Sequence, residues 1–333
     1  MSHLRVLFIG GTGIISTACS RQALARGMRV AVLNRGQTQH RPVPEGVEVL
    51  RADVRDADAV RAALGGREFD VVANFLNFTP EHVQQDIDLF AGRTWQYVFI
   101  SSASAYQTPP TRLPVTESTP LRNPFWEYSR NKIACEDLLV REYRERGFPM
   151  TIVRPSHTYD PTLVPFDGGW TVVERMRQGR EVVVPGDGTS LWTLTHHEDF
   201  ARAFVGLLGQ HAALGEAFHI TSDEAPTWNE IYTAIADAAG VEPRLVHVAS
   251  DAIAAADPDL GAGLLGDKAN SMVFDNTKVK GLVPGWAAQV PFREGAREIV
   301  DWHDEDASRR VVDGRMDALF DALIEAYRPR PLR

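Results

Sequence analysis

The sequence predicts an α/β fold: a doubly wound parallel sheet joined to a smaller α/β lobe that is discontinuous in sequence and binds substrate. Three observations predict it. Short, nearly unbroken apolar runs recur through the first 154 residues, as expected for strands covered on both faces. The first run leads straight into a glycine-rich turn and then a helical pattern. After Pro161 the regular alternation breaks, and strand and helix signals of a second unit intervene before it resumes.

Leu4–Ile9 is the first strand, followed by Gly10-Gly11-Thr12-Gly13-Ile14-Ile15-Ser16 and a helix to about Arg26. Glycines at 10 and 13 allow a tight turn and bring a pyrophosphate against the helix N-terminus, where free N–H groups and the dipole favour anions. This is the turn of a Rossmann-type dinucleotide fold, with Gly10, Thr12, Gly13, Ile14 and Ile15 as cofactor contacts. The second strand, 29–33, ends at Asn34-Arg35. A carboxylate there would pair with a ribose 2′-hydroxyl, whereas Arg35 can fork onto a 2′-phosphate. NADP is therefore expected, with NAD as the alternative. The third strand, 47–51, precedes Asp53, which could accept from the adenine amino group, and Val54, a further cofactor contact; Asp53 could instead cap the helix starting near Asp56. The fourth, 70–73, delivers Asn74 and Asn77 to the ligand edge, as cofactor and substrate contacts respectively. The fifth, 96–101, carries the hydroxyls of Ser101, Ser102 and Ser104 to the same edge.

Tyr128 and Lys132 stand four apart in a predicted helix and so share one face. The chain has seven Tyr and only four Lys. An ammonium beside a phenol favours the phenolate, which makes Tyr128 a general acid/base and predicts a lowered pKa. The sixth strand is 150–154. Beyond it come a helix over 167–178, strands at 181–185 and 191–195, a helix over 198–208, and 217–221 as the last strand of the parallel sheet. Residues 226–239 form a helix, 250–268 a small, flexible lid or surface connection, and 312–327 a helix whose apolar stripe packs into a core. The expected boundaries are 1–160 plus about 188–225 for the dinucleotide domain, and 161–187 plus 226–333 for the substrate lobe.

With 333 residues, 44% hydrophobic and 24% charged, the composition is that of an ordinary globular chain. A net charge of −9 argues against nucleic acid as a partner. Cys19 and Cys135 have no metal or disulfide spacing, and the adjacent His196 and His197 lack a third ligand, so no metal is expected. The first strand begins at once, with no signal peptide before it, and no apolar run reaches membrane-spanning length. A cytoplasmic protein with a small-molecule substrate is expected, with a homodimer left open.

GGTGIIS, ADVRD, FISSASAY, YSRNK and IVRPSHTYDP together resemble the extended, atypical short-chain dehydrogenase/reductases of the NAD-dependent epimerase/dehydratase family. WTLTHHEDFARAF and FDNTKVKGLVPGW extend the likeness over nearly the whole chain. The resemblance implies an NAD(P)-dependent oxidoreductase or epimerase acting on a sugar-like or polyhydroxylated alcohol or ketone. It makes Tyr128 the catalytic acid/base, Lys132 the ribose-binding residue that lowers the Tyr pKa, and Ser102 the hydroxyl that polarises the substrate oxygen. Pro155 would pack beside the nicotinamide; Ser104, Ser156 and His157 would lie near the substrate. Ala103 and Ser104 replace the Asp-Glu pair of the dehydratases, which disfavours a 4,6-dehydratase. Trp192 replaces an Arg that grips a nucleotide diphosphate. The alternative is a non-catalytic, cofactor-sensing or RNA-binding protein on the same fold, since atypical members include plastid RNA binders.

Overall fold

The computed structural model describes residues 4–37 and 41–328. Eleven strands follow the chain: β1 (Arg5–Ile9), β2 (Arg29–Asn34), β3 (Glu48–Arg51), β4 (Val71–Asn74), β5 (Gln96–Ile100), β6 (Met150–Pro155), β7 (His157–Tyr159), β8 (Glu181–Pro185), β9 (Leu194–His196), β10 (Ala217–Ile220) and β11 (Arg244–Val248). Seven make one sheet in the order β10-β6-β5-β4-β1-β2-β3, and every pairing in it is parallel. The strand order reverses between β1 and β4, so their carboxyl ends diverge and leave a crevice.

Alternation along β1 explains the two layers. Val6 and Phe8 enter the core on one face, packed with α1 (Ile14–Ala25) and a later helix, His197–Leu207. Leu7 and Ile9 enter the opposite core with residues of α2 (Ala57–Leu64), α3 (Pro80–Phe90) and α4 (Glu127–Arg146). The Asp56 side chain caps α2 by accepting from the Asp58 and Ala59 amides. Gly147, at φ 69°, terminates α4 in the left-handed conformation that glycine adopts freely.

The smaller lobe joins α5 (Trp170–Arg177), the parallel pair β8–β11, and α7 (Trp228–Ala238), with α6 being the helix His197–Leu207 that returns to the main sheet. Its core is shared by the C-terminal helix Gly314–Tyr327, which buries Met316, Phe320, Leu323 and Ile324. The strand expected over 191–195 is shorter: β9 pairs with β7 outside the main sheet, while Leu191 and Trp192 make isolated bridges. The segment 250–268 differs from a small, flexible lid. It folds as α8 (Ser250–Ala256), α9 (Pro258–Gly263) and one π turn, Leu264–Lys268. Buried Ile253 and Leu264 tie it to the lobe core, and Gly266 lies so close to Trp126 that an added Cβ would come within 2.7 Å of that side chain. No helix among the described residues is long and apolar enough to cross a membrane.

Candidate active site

Two clefts meet at the carboxyl ends of the strands. The first, about 1000 Å³ including its open mouth, is lined by Gly10, Thr12, Gly13, Asn34, Arg35, Asp53, Val54 and Phe78, among others. Gly10 has φ +108°, and a Cβ at Gly11 would fall 2.4 Å from Val32, so only glycine lets the turn lie this close to β2. Helix α1 starts here with no acidic residue in its first turn, which leaves its end favourable to anions. The Nδ2 of Asn34 is buried without a hydrogen-bond partner, a donor facing unmet demand at the cleft. Ile14 and Ile15 begin α1 outside the cleft's lining, and Asn74 is fully buried, donating to Asp86. Asp53 accepts from the Arg55 amide; Asp56, not Asp53, caps α2.

The second cleft, about 650 Å³ including its mouth, is lined by Ser102, Ser104, Tyr128, Pro155, Ser156, His157 and Trp192, and also by Trp126, Asp267, Met272 and Phe274. Phe78, in the wall of the first cleft, touches the Tyr128 ring at 6.4 Å between centroids, so the two clefts are neighbours. Ser102 and Tyr128 line this cleft together, and Ser102 and Ser104 share a hydrogen bond of 2.9 Å. Ser129 in turn donates to Ser104 at 2.7 Å, which completes a chain of hydroxyls behind the phenol. Ser101 turns away, donating to Glu136.

Lys132 departs from its expected place. Its Nζ is buried and donates to the carbonyls of Asn77 (2.6 Å) and Ile100 (2.8 Å). Rings of Phe78, Phe99 and Tyr128 surround it, with the Tyr128 centroid 5.6 Å away. Burial pushes the ammonium down to about 8. The same effect pushes the Tyr128 phenol up to about 12, opposed by the Ser102 hydroxyl. The expected lowering of the Tyr pKa is thus reversed here: desolvation of the phenolate outweighs a cation that points at carbonyls instead of the phenol oxygen.

Asn77, expected beside the substrate, lies outside the second cleft's lining; its amide donates to Asp86 and Tyr97, and its carbonyl anchors Lys132. Pro155 lines the second cleft, not the first. Ser156 hydrogen-bonds Thr195 at 2.7 Å. The Nε2 of His157 and the Nε1 of Trp192 are both buried without partners, and burial pushes the imidazole down to about 3, so it is neutral. Trp192 stacks on Trp228. His196 bonds Glu298 at 2.9 Å. Asp267, Phe78 and Trp126 escaped sequence reasoning because no spacing links them; only the fold brings the π turn against the start of α4.

Residues 6–221 match the sequence model of the NAD dependent epimerase/dehydratase family. Among curated relatives, a chloroplast stem-loop binding protein of 41 kDa from Arabidopsis thaliana is 28% identical over 259 residues, covering 74% of this chain and 66% of its own length. A 2′-dehydrokanamycin reductase from Streptomyces kanamyceticus is 28% identical over 243 residues, or 71% of this chain and 67% of its own. These alignments span about two thirds of either relative. Of solved structures, a dTDP-glucose 4,6-dehydratase from Bacillus anthracis in complex with NAD superposes with TM-score 0.73, 17% identity, and coverage of 92% of this chain and 98% of that one. A Thermus thermophilus UDP-glucose 4-epimerase, also in complex with NAD, gives TM-score 0.69, 24% identity, and coverage of 90% and 98%. These NAD complexes overturn the expectation of NADP. The geometry agrees: Arg35 sits 3.9 Å from the Asp53 carboxylate, so the cation that reads alone as a 2′-phosphate grip has an acidic neighbour in the fold.

Proposed function

The chain belongs to the NAD-dependent epimerase/dehydratase family, and from that premise we propose that it is an NAD-dependent oxidoreductase or epimerase acting on a polyhydroxylated alcohol or ketone. The observation that carries this reading is the Ser102–Tyr128 hydroxyl pair, lining one cleft beside a glycine-rich dinucleotide cleft. Gly10, Gly13, Asn34 and Asp53 would hold the cofactor, and NAD bound there would accept or return a hydride. Tyr128 takes the alcohol proton as the hydride leaves and gives it back in reduction. Ser102 donates to the oxygen on which charge develops. With its pKa raised, Tyr128 rests protonated near neutral pH. For it to act as base near neutral pH, the Lys132 ammonium must turn from the two carbonyls towards the cofactor and phenol.

A second reading has specific support. The first relative named above is a stem-loop binding protein, and the Lys132 ammonium is spent on the carbonyls of Asn77 and Ile100, which suits a cofactor-sensing or RNA-binding protein on the same fold. That comparison favours the second reading; the Ser102–Tyr128 pair favours the first.

Tyr128→Phe tests both. With NAD present, nicotinamide reduction is followed by absorbance across sugars and polyols, and RNA stem-loop retention is measured in parallel. The enzyme reading expects turnover to fall about 10²- to 10⁴-fold with NAD affinity kept. Undiminished turnover, or stem-loop binding as the only activity of the native chain, sinks it. Turnover without added cofactor would mark an epimerase, which returns its hydride to the product.

A further inference from the structure

The cleft that holds Tyr128 contains one formally charged side chain, and it is a carboxylate. Asp267, in the π turn Leu264–Lys268, lines it together with Trp126, Tyr128, Trp192 and Phe274. No Arg or Lys lines this cleft. Asp267 makes no hydrogen bond or ion pair among the described residues. Its sequence neighbour Lys268 pairs with Asp167 at 3.3 Å on the wall of a separate, largely apolar pocket, and reaches Asp267 only through its charge. Two further groups in the lining lack partners: the N–H of Trp192, which can only donate, and the Nε2 of a neutral His157. Buried polar groups without protein partners await a ligand's.

The charge pattern decides what that ligand is. A nucleoside diphosphate entering here would meet a carboxylate and four aromatic side chains, with no cation in the lining to neutralise it; the carboxylate repels an anion and attracts a cation, and ring faces add to that attraction. A single carboxylate with no second acidic residue in the lining is also a poor site for a metal ion, which takes several ligands. We propose that the substrate is a hydroxylated small molecule bearing a protonated amine, which Asp267 holds by charge and the aromatic walls hold by cation–π contact. This rests on reading the cleft as the substrate site and names the substrate class for it. Trp192 and His157 then serve the substrate's hydroxyl oxygens, while Ser102 and Tyr128 address the carbon that reacts.

Asp267 supports this in another way. Burial pushes its carboxyl up to about 7, opposed by the Lys268 charge; Tyr128 from α4 and His157 from β7 face the same space, and both are neutral near pH 7. An arriving ammonium compensates the carboxylate that burial penalises. Amine affinity should therefore rise as pH passes upward through about 7 and the free carboxyl ionises.

The test is calorimetric titration of the NAD-loaded protein with glucosamine, N-acetylglucosamine, glucose and UDP-glucose. The expected result is at least tenfold tighter binding of glucosamine than of either neutral sugar. Asp267→Asn should abolish that preference while leaving NAD affinity unchanged and without lowering the unfolding temperature, since it removes a carboxylate that burial penalises. In the native protein the preference should also collapse below about pH 6, a readout that does not depend on the variant folding. Equal affinity for glucosamine and glucose, or tighter binding of UDP-glucose, overturns the inference. Either result leaves the enzyme reading standing, since that reading falls only on the Tyr128→Phe comparison.

Discussion

At the scale of single residues, burial outweighs proximity in this site. Tyr128 and Lys132 were legible as a pair because helical spacing fixes which residues share a face, and the structure keeps them on one. Where the ammonium points was not legible, since that depends on two carbonyls, from Asn77 and Ile100, delivered by other strands. Asp86 supplies the hidden support. It is fully buried and accepts from Tyr97, Asn77 and Asn74, each at 2.6 Å, so it fixes the loop whose carbonyl holds Lys132. Desolvation nevertheless pushes its carboxyl up to about 6, with those hydrogen bonds opposing. A carboxyl raised on folding binds more protons in the native state than in the unfolded one between about pH 4 and 6. The contribution of Asp86 to stability must then fall as pH rises across that window and level off above it, by on the order of 3 kcal/mol. Urea unfolding of the native chain and of Asp86→Asn at pH 4, 5, 6 and 7 should show the native chain losing about that much stability relative to the variant as pH rises. A decline of the same size in the variant would exclude Asp86 as the cause.

At the scale of elements, the six strands up to Arg154 were legible because runs buried on both faces leave an unmistakable apolar signature. The lobe was less so. Trp192 lies in a stretch expected to be a strand, yet it makes only an isolated bridge to Met272, because its partner comes from far along the chain. The segment 250–268 misled most. Its alanines and glycines read as flexible, whereas those small residues permit close packing: a Cβ at Gly261 would lie 2.4 Å from Ala254, and one at Gly266 would lie 2.7 Å from Trp126 and 3.1 Å from Asn123. Gly266 thus seats the π turn against the start of α4, and with it the carboxylate of Asp267. Gly266→Ala overpacks that contact and should cost about 1–3 kcal/mol. It should also loosen amine binding without touching NAD affinity, because the turn moves and the dinucleotide cleft does not. Denaturant titration together with ligand calorimetry checks this; native stability in the variant would mean that the close approach is not a constraint.

At the scale of the molecule, the doubly wound sheet gathers both clefts at one edge, and the charge they carry selects what enters. The acidic balance of the chain, −9 overall, says little about that selection, which local pairs decide. Asn34-Arg35 reads as a 2′-phosphate grip when taken alone. In the fold β3 runs beside β2, so the loop after it brings Asp53 up to Arg35, and a neighbour invisible to short-range pattern changes the reading. This makes cofactor choice a property of the assembled sheet. Ligand present at about 100 times its Kd stabilises the native state by about 2.7 kcal/mol. For a chain of this size that is a rise of several degrees in unfolding temperature. NAD should produce it, and NADP at the same concentration should produce distinctly less, because the Asp53 carboxylate repels the extra phosphate. Asp53→Asn removes the repulsion and releases Arg35 at once, so it should narrow the difference between the two cofactors chiefly by improving NADP. If NADP stabilises the native protein as much as NAD does, or if the gap is unchanged in Asp53→Asn, the Arg35–Asp53 pair does not govern the choice.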